Sequence, residues 1–370
     1  MILRFDRRIL VNFDWTLLAI VLGICFIGVL NIFSTGYSLS EKQYPLYLKQ
    51  IQWIVLGLFC MMVVFFIDYR VISRIAYLIY GFSIALLIFV AFYGYTTHGS
   101  QRWISFGSVF FQPSEFVKLT IIVALARYFD DHKSPEPYTL KELFVPFLII
   151  LVPFLLILKQ PDLGTALILL ILSSSIILFI GINWKSFLIA VVTVLISMPV
   201  AWQFLKDYQK DRLMTFLSPE NDPLGTGYHI IQSMIAIGSG GILGKGFLKG
   251  SQTQLKFLPE QQTDFVFSVF AEEWGFTGGL VLMVLFMFLI IWGMKIALHS
   301  RDILGTLIAF GITALISWEV FINIGMVLGI LPVVGIPLPF LSYGGSAMVV
   351  LLTSMGLLMN VSVHRFILQR

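Results

Sequence analysis

Runs of about twenty apolar residues recur along the whole chain, and no other feature of the sequence restricts the fold as severely. They fall near residues 15–34, 48–67, 71–93, 113–129, 143–158, 164–182, 185–205, 273–296, 303–330 and 344–363. Runs of this length fit helices that cross a hydrocarbon core roughly 30 Å thick, where every backbone N–H and C=O must be satisfied within the protein. A membrane barrel would instead show ten-residue segments of alternating polarity, and these runs do not alternate. With 58% hydrophobic residues, 12% charged residues and a mean hydropathy of +0.93, the chain lies far outside soluble globular usage. The expectation is an all-α polytopic membrane protein, one domain over residues 1–370. It has about ten transmembrane helices and a long extracytoplasmic loop, about 206–264, between the seventh and eighth. The count depends most on the short run 143–158 and on Gly181–Lys185, the only break between two runs.

Charge placement bears on sidedness. If the N-terminus is cytoplasmic, the tails and even-numbered connections hold Arg4, Arg7, Arg8, Arg70, Arg74, Arg127, Lys133, Lys141, Lys185, Lys295, Arg301, Arg365 and Arg370. The short odd-numbered connections hold only Lys42, Lys49, Arg102 and Lys159, as the positive-inside rule expects. Both termini are then cytoplasmic. The unusual segments, at Gly99–Glu115, Lys159–Thr165, Lys206–Glu273 and Leu331–Ser346, face outward. An enzyme on that side has no ATP and needs a substrate carrying its own activation. The net charge of +4 makes no case for nucleic acid, and Cys25 and Cys60 lie inside apolar runs, which excludes a disulfide framework.

The stretch Phe257–Glu273 places Glu260, Asp264, Glu272 and Glu273 where the long connection enters an apolar helix, in a chain that elsewhere keeps carboxylates out of its apolar segments. Asp264 is either the N-cap of that helix or a carboxylate made more basic by the lipid edge, and so a proton acceptor. Glu115 and Lys118, at i and i+3, form either a self-satisfied ion pair or part of a cavity. Asp162 either caps the helix starting at Leu163 or supplies a second acid to that cavity. Gly238–Gly246 lacks the phosphate-loop spacing, which leaves an anion-binding nest with Lys245 and Lys249 or a loop lying on the bilayer. His98 and His229 stand apart from other metal-ligand types. The uncharged, Pro- and Gly-rich stretch Ile336–Ser346 reads as a re-entrant cavity wall. Gly275/Gly279 and Gly325/Gly329 have the spacing of close helix packing.

Taken in order, Gln101-Arg-Trp103, Gln112-Pro-Ser-Glu115 with Lys118, Gln160-Pro-Asp-Leu-Gly-Thr165, Leu258-Pro-Glu260, Thr263-Asp-Phe265, Glu272-Glu273, Gly325-Met326 and Ser342-Tyr-Gly-Gly-Ser346 resemble the SEDS (shape, elongation, division and sporulation) family. The likeness extends from about Asp14 to Arg365. Asp222–His229 and Lys249–Leu255 resemble the family's elongation branch more than its division branch, whereas Gln261-Gln262 departs from the Arg-His type of pair common there. The resemblance implies a glycosyltransferase that polymerises peptidoglycan strands from lipid II for cell elongation and rod shape. A lipid II flippase and a non-enzymatic scaffold are the alternatives. It implies Asp264 as the essential carboxylate, with Glu115, Lys118 and Asp162 lining one outward cavity. Arg102, Lys118, Arg212 and Lys245 become candidate diphosphate partners. Glu260, Glu272, Glu273, Ser342, Gly344 and Gly345 are expected to support the site, Glu260 by positioning its loop and Glu272 and Glu273 by holding the bundle together. A class B penicillin-binding protein is the implied partner, and a divalent cation (Mg2+ or Mn2+) held by Asp264 is a competing account of that residue.

Overall fold

The computed structural model describes residues 13–37, 46–97, 100–107, 109–204, 210–211, 214–216, 218, 225–255, 257–258 and 260–367. Every apolar run folds as helix: Trp15–Tyr37, Leu46–Phe66, Tyr69–Arg74 with Ala76–Tyr93, Pro113–Asp131, Phe144–Lys159, Leu163–Ile180, Trp184–Phe204, Val266–Leu298, Ile303–Val327 and Gly345–Ile367. Seven of the described helices are long and apolar enough to cross a membrane. Pro113–Asp131 carries five charged side chains, and Phe144–Lys159 is short. The protein is an integral membrane protein of helical bundle type. The run at 71–93 is broken at Ile75, where Asp68 caps a six-residue helix by accepting from the Arg70 N–H.

Two helices form the centre. Ile303–Val327 and Gly345–Arg365 have 78% and 89% of their most apolar windows buried, against 22–44% for the other candidate spans. Gly345–Ile367 lies chiefly along Leu46–Phe66, and Ile303–Val327 touches Pro113–Asp131, Leu163–Ile180, Val266–Leu298 and Gly345–Ile367. Glycine sets the closest approach: a Cβ on Gly356 would lie 2.9 Å from the Met61 Cα. Trp184–Phe204 runs at the edge, with Trp184, Leu188, Ile189 and Ile196 exposed as lipid-facing residues would be.

Local structure departs from the sequence expectation in three places. A small antiparallel sheet, β1 (Tyr95–Thr97), β2 (Ser100–Phe106) and β3 (Val109–Phe111), precedes helix Pro113–Asp131, with Tyr95 opposite Trp103 and Ile104 opposite Phe111. Two of its strands have three residues each, and the seven of Ser100–Phe106 do not alternate in polarity. The two Gly-x-x-x-Gly pairs are not packing faces. Gly275, at φ +64°, breaks helix Val266–Leu298, and Gly329, at φ +70°, ends helix Ile303–Val327, where Ile330 N–H closes on Gly325 O. The Gly238–Gly246 segment does not lie free on a bilayer. It ends helix Thr226–Gly240 and fills the break at Gly275: Lys245 and Gly246 N–H donate to the Glu272 and Glu273 carbonyls, and Phe276 and Thr277 N–H donate to Gly241 and Ile242. Backbone freed by a kink at membrane depth must find such partners.

Candidate active site

A cavity of about 540 Å³ opens between the sheet, the first turn of Pro113–Asp131, the Gln160–Thr165 turn, the segment before Val266 and the Val334–Ala347 loop. Arg102, Glu115, Lys118, Asp162, His229, Glu260, Asp264 and Gly344 all line it. Residues far apart in sequence thus share one chamber, walled on one side by irregular backbone at Val334–Pro337 and Tyr343–Gly344.

Asp264 is placed by its backbone. The carbonyls of Gln262, Thr263 and Asp264 each accept one bond: from Tyr343 N–H at 2.8 Å, Ser342 Oγ at 2.6 Å and Asn323 Nδ2 at 3.0 Å. Asn323 Nδ2 also donates to Ile336 O at 2.7 Å, which ties the two loops together. Phe265, not Asp264, is the N-cap of Val266–Leu298, and no side chain caps that helix. Asp264 therefore lines the cavity and does not cap the helix. Glu260, in a left-handed conformation at φ +48°, accepts from Thr263 Oγ1 through its own carboxylate and carbonyl.

Asp162 does both things its sequence position allowed. It caps Leu163–Ile180, accepting from Thr165 N–H at 3.3 Å and Thr165 Oγ1 at 2.9 Å. It also accepts from Gln112 Nε2 at 3.1 Å and Ser114 Oγ at 3.4 Å, while Arg102 lies 3.5 Å away and donates to Pro161 O. Sheet strand β2 thereby delivers a guanidinium to the cavity rim.

Glu115 and Lys118 pair at 2.8 Å as the i, i+3 spacing implies, and a second carboxylate stands beside them: Glu319 lies 2.5 Å from Lys118 Nζ. Glu319 corrects the expectation that carboxylates stay out of the apolar runs, since it sits inside helix Ile303–Val327 at 1% exposure. Glu319 and Asn323, spaced i, i+4, share one helix face that serves Lys118 and the Asp264 backbone respectively. That pair of polar residues in an apolar run was the available signal. His229, which the sequence left isolated, is a cavity residue with its ring stacked on Phe265.

Lys245 is elsewhere. Its ammonium bonds Glu272 Oε1 and Ser251 Oγ, both at 2.7 Å, and Lys245 is not among the cavity residues. Glu272 further accepts from Gln252 N–H, Thr253 N–H and Thr253 Oγ1. Glu273 accepts from Ser34 Oγ and Leu248 N–H. These two glutamates bind the Lys245–Thr253 segment and helix Trp15–Tyr37 to helix Val266–Leu298, so their work is connection, away from Asp264. Gly344 N–H meets Gln50 Oε1 at 3.4 Å, and a Cβ on Gly345 would enter the Trp53 ring. Arg212 and His98 lie outside the described residues. Among the described residues, no group of three or more His, Cys, Asp and Glu is arranged to hold a metal ion.

The cell cycle protein family of FtsW, RodA and SpoVE matches residues 14–366. A curated relative, peptidoglycan glycosyltransferase MrdB of Escherichia coli K12, is 44% identical over 362 residues, covering 97% of this chain and 96% of that protein. Among solved structures, a chain from a peptidoglycan synthase complex that coordinates polymerization and crosslinking superposes with a TM-score of 0.81 at 33% identity, covering 96% of this chain and 99% of the other. The rod shape determining protein RodA of Thermus thermophilus gives 0.71 at 28% identity, covering 96% and 98%. Near-complete coverage by these relatives, with the cavity motifs in order, places the chain in the FtsW/RodA/SpoVE family.

Proposed function

We infer that the chain is a peptidoglycan glycosyltransferase of the elongation type, serving rod shape, with lipid II as both donor and acceptor. The observation that carries this is a carboxylate, Asp264, held by three consecutive backbone anchors in a cavity that also contains cationic Arg102 and Lys118. Asp264 accepts the proton of the acceptor sugar hydroxyl as that oxygen attacks the donor anomeric carbon. The bond to the lipid diphosphate breaks, and the diphosphate leaves with the electron pair. One displacement converts an α-linked donor into a β-linked product. General-base help is worth about 10² to 10⁴ in rate, and positioning with charge stabilisation supplies the remainder.

Among the described residues, Arg102 on the rim and Lys118 on the wall are the lysine and arginine side chains available to the diphosphate; Lys245 is committed to Glu272. A divalent ion at Asp264 would draw its other ligands from the diphosphate and water, given the donor set present. The cavity faces the outer side of the cytoplasmic (inner) membrane, both termini are cytoplasmic, and a class B penicillin-binding protein supplies crosslinking and activation. The likeness to a chain of a synthase complex supports that partnership.

Purified protein with its partner, given labelled lipid II, is expected to form glycan polymer that survives moenomycin. Lipid scrambling between leaflets without polymer would instead identify a flippase.

A further inference from the structure

Three charges meet at the inner wall of the cavity. Lys118 Nζ lies 2.8 Å from Glu115 Oε2 and 2.5 Å from Glu319 Oε1, and all three side chains are almost wholly buried. Only two of them reach the cavity. Glu115 and Lys118 line it; Glu319 stands behind Lys118 on the central helix Ile303–Val327. One cation therefore serves two carboxylates that face different ways. A Glu115–Lys118 pair alone would be self-satisfied on one helix, and its long lysine side chain would be free to follow Glu115. A second carboxylate on a different helix fixes the ammonium in space. It also leaves Glu115 as the member able to separate when an anion arrives.

We propose that Glu319 is a positioning residue for glycosyl transfer, clamping the Lys118 ammonium at the cavity wall where the donor diphosphate is received. It acts through Lys118 and touches no substrate. The same helix face carries Asn323, which holds the Asp264 carbonyl 3.0 Å away. Helix Ile303–Val327 thus sets the separation between the cation that meets the leaving group and the carboxylate that takes the proton. The proposal rests on the polymerase reading above.

The test uses the full chain in complex with its partner, labelled lipid II as probe, and thermal unfolding in parallel. Glu319→Gln keeps shape and a hydrogen-bond acceptor but removes the charge. It is expected to lower kcat by about 10²-fold, the scale of a misplacement outside the reacting centre, with KM within about threefold. The exchanged pair Lys118→Glu/Glu319→Lys restores an ion pair between the two helices but puts no ammonium at the wall. It also leaves Glu115 beside a second carboxylate, so it is expected to unfold at a lower temperature than the natural chain and, where folded, to remain inactive. Wild-type kcat in Glu319→Gln, or activity regained in the exchanged pair, would show a merely structural ion pair and overturn the proposal. Should Glu319→Gln fail to fold, Glu319→Asp draws the carboxylate back by one methylene with its charge kept. Lost kcat at unchanged stability supports the clamp, and wild-type kcat overturns it. A natural chain that makes no polymer in this assay sinks the polymerase reading itself, a different result from an active natural chain with an equally active variant.

Discussion

Asp162 receives bonds from Gln112, Ser114 and both the N–H and hydroxyl of Thr165, with the Arg102 guanidinium nearby. Replacing it with alanine removes a helix cap and takes an acceptor from each of those donors. We expect Asp162→Ala to lower stability by about 1 to 2 kcal/mol, read as a fall in unfolding temperature in detergent. Asp162→Asn keeps one oxygen to cap the helix, turns the other into an amide donor facing Gln112 Nε2, and removes the charge beside Arg102. It is expected to cost less stability than Asp162→Ala while slowing polymerisation, because the rim cation is no longer oriented. Asp162, Glu115 and Lys118 were legible because their partners are near in sequence or follow helical spacing. Glu319 and Asn323 were not, because each serves a residue brought to it only by helix packing, 201 and 59 positions away. His229 was missed for the same reason: its companions are spatial neighbours, not sequence neighbours.

At the level of elements, the break at Gly275 divides the short N-terminal part of helix Val266–Leu298 from its remainder. A side chain there is strained by its φ of +64° and would crowd Ile242 O, 2.7 Å from an added Cβ. Gly275→Ala is expected to destabilise the protein by about 1 to 3 kcal/mol, measured by thermal unfolding, and to loosen the Gly241–Gly246 segment that fills the break. The other end of the bundle offers a pH test. Burial opposes ionisation of Asp302, but Gly305 N–H, the Tyr69 hydroxyl and the Arg70 guanidinium outweigh it and hold its pKa below the ordinary aspartate value. A carboxyl depressed by folding contributes stability above its unfolded pKa, and that contribution is lost as pH falls through the folded value. Unfolding temperature should therefore decline more steeply below about pH 4 in the natural chain than in Asp302→Asn. Equal slopes would remove Asp302 from the account. The helices themselves were legible from hydropathy, since lipid permits little else. The kink, the three-stranded sheet and the seating of the Gly238–Gly246 segment were not, because each depends on backbone groups finding partners across the fold.

For the whole molecule, the fold class and family were written in the apolar runs and the ordered motifs, whereas sidedness rests on the distribution of Lys and Arg. Cysteines placed singly at Lys245 and at Lys133 are expected to label from opposite sides of the membrane in intact cells, the first from outside. Labelling of position 133 from outside and of position 245 only from within would reverse the orientation proposed for the cavity. The cavity's contents come from six segments spread between Arg102 and Ala347. No local pattern contains it, and its chemistry emerges only when the bundle closes. The most direct measurement is polymerisation of labelled lipid II by the complex carrying Asp264→Asn, beside the natural chain. The account predicts a folded complex that retains its partner and forms polymer at least about 10²-fold more slowly. Wild-type polymerisation by that variant would contradict it.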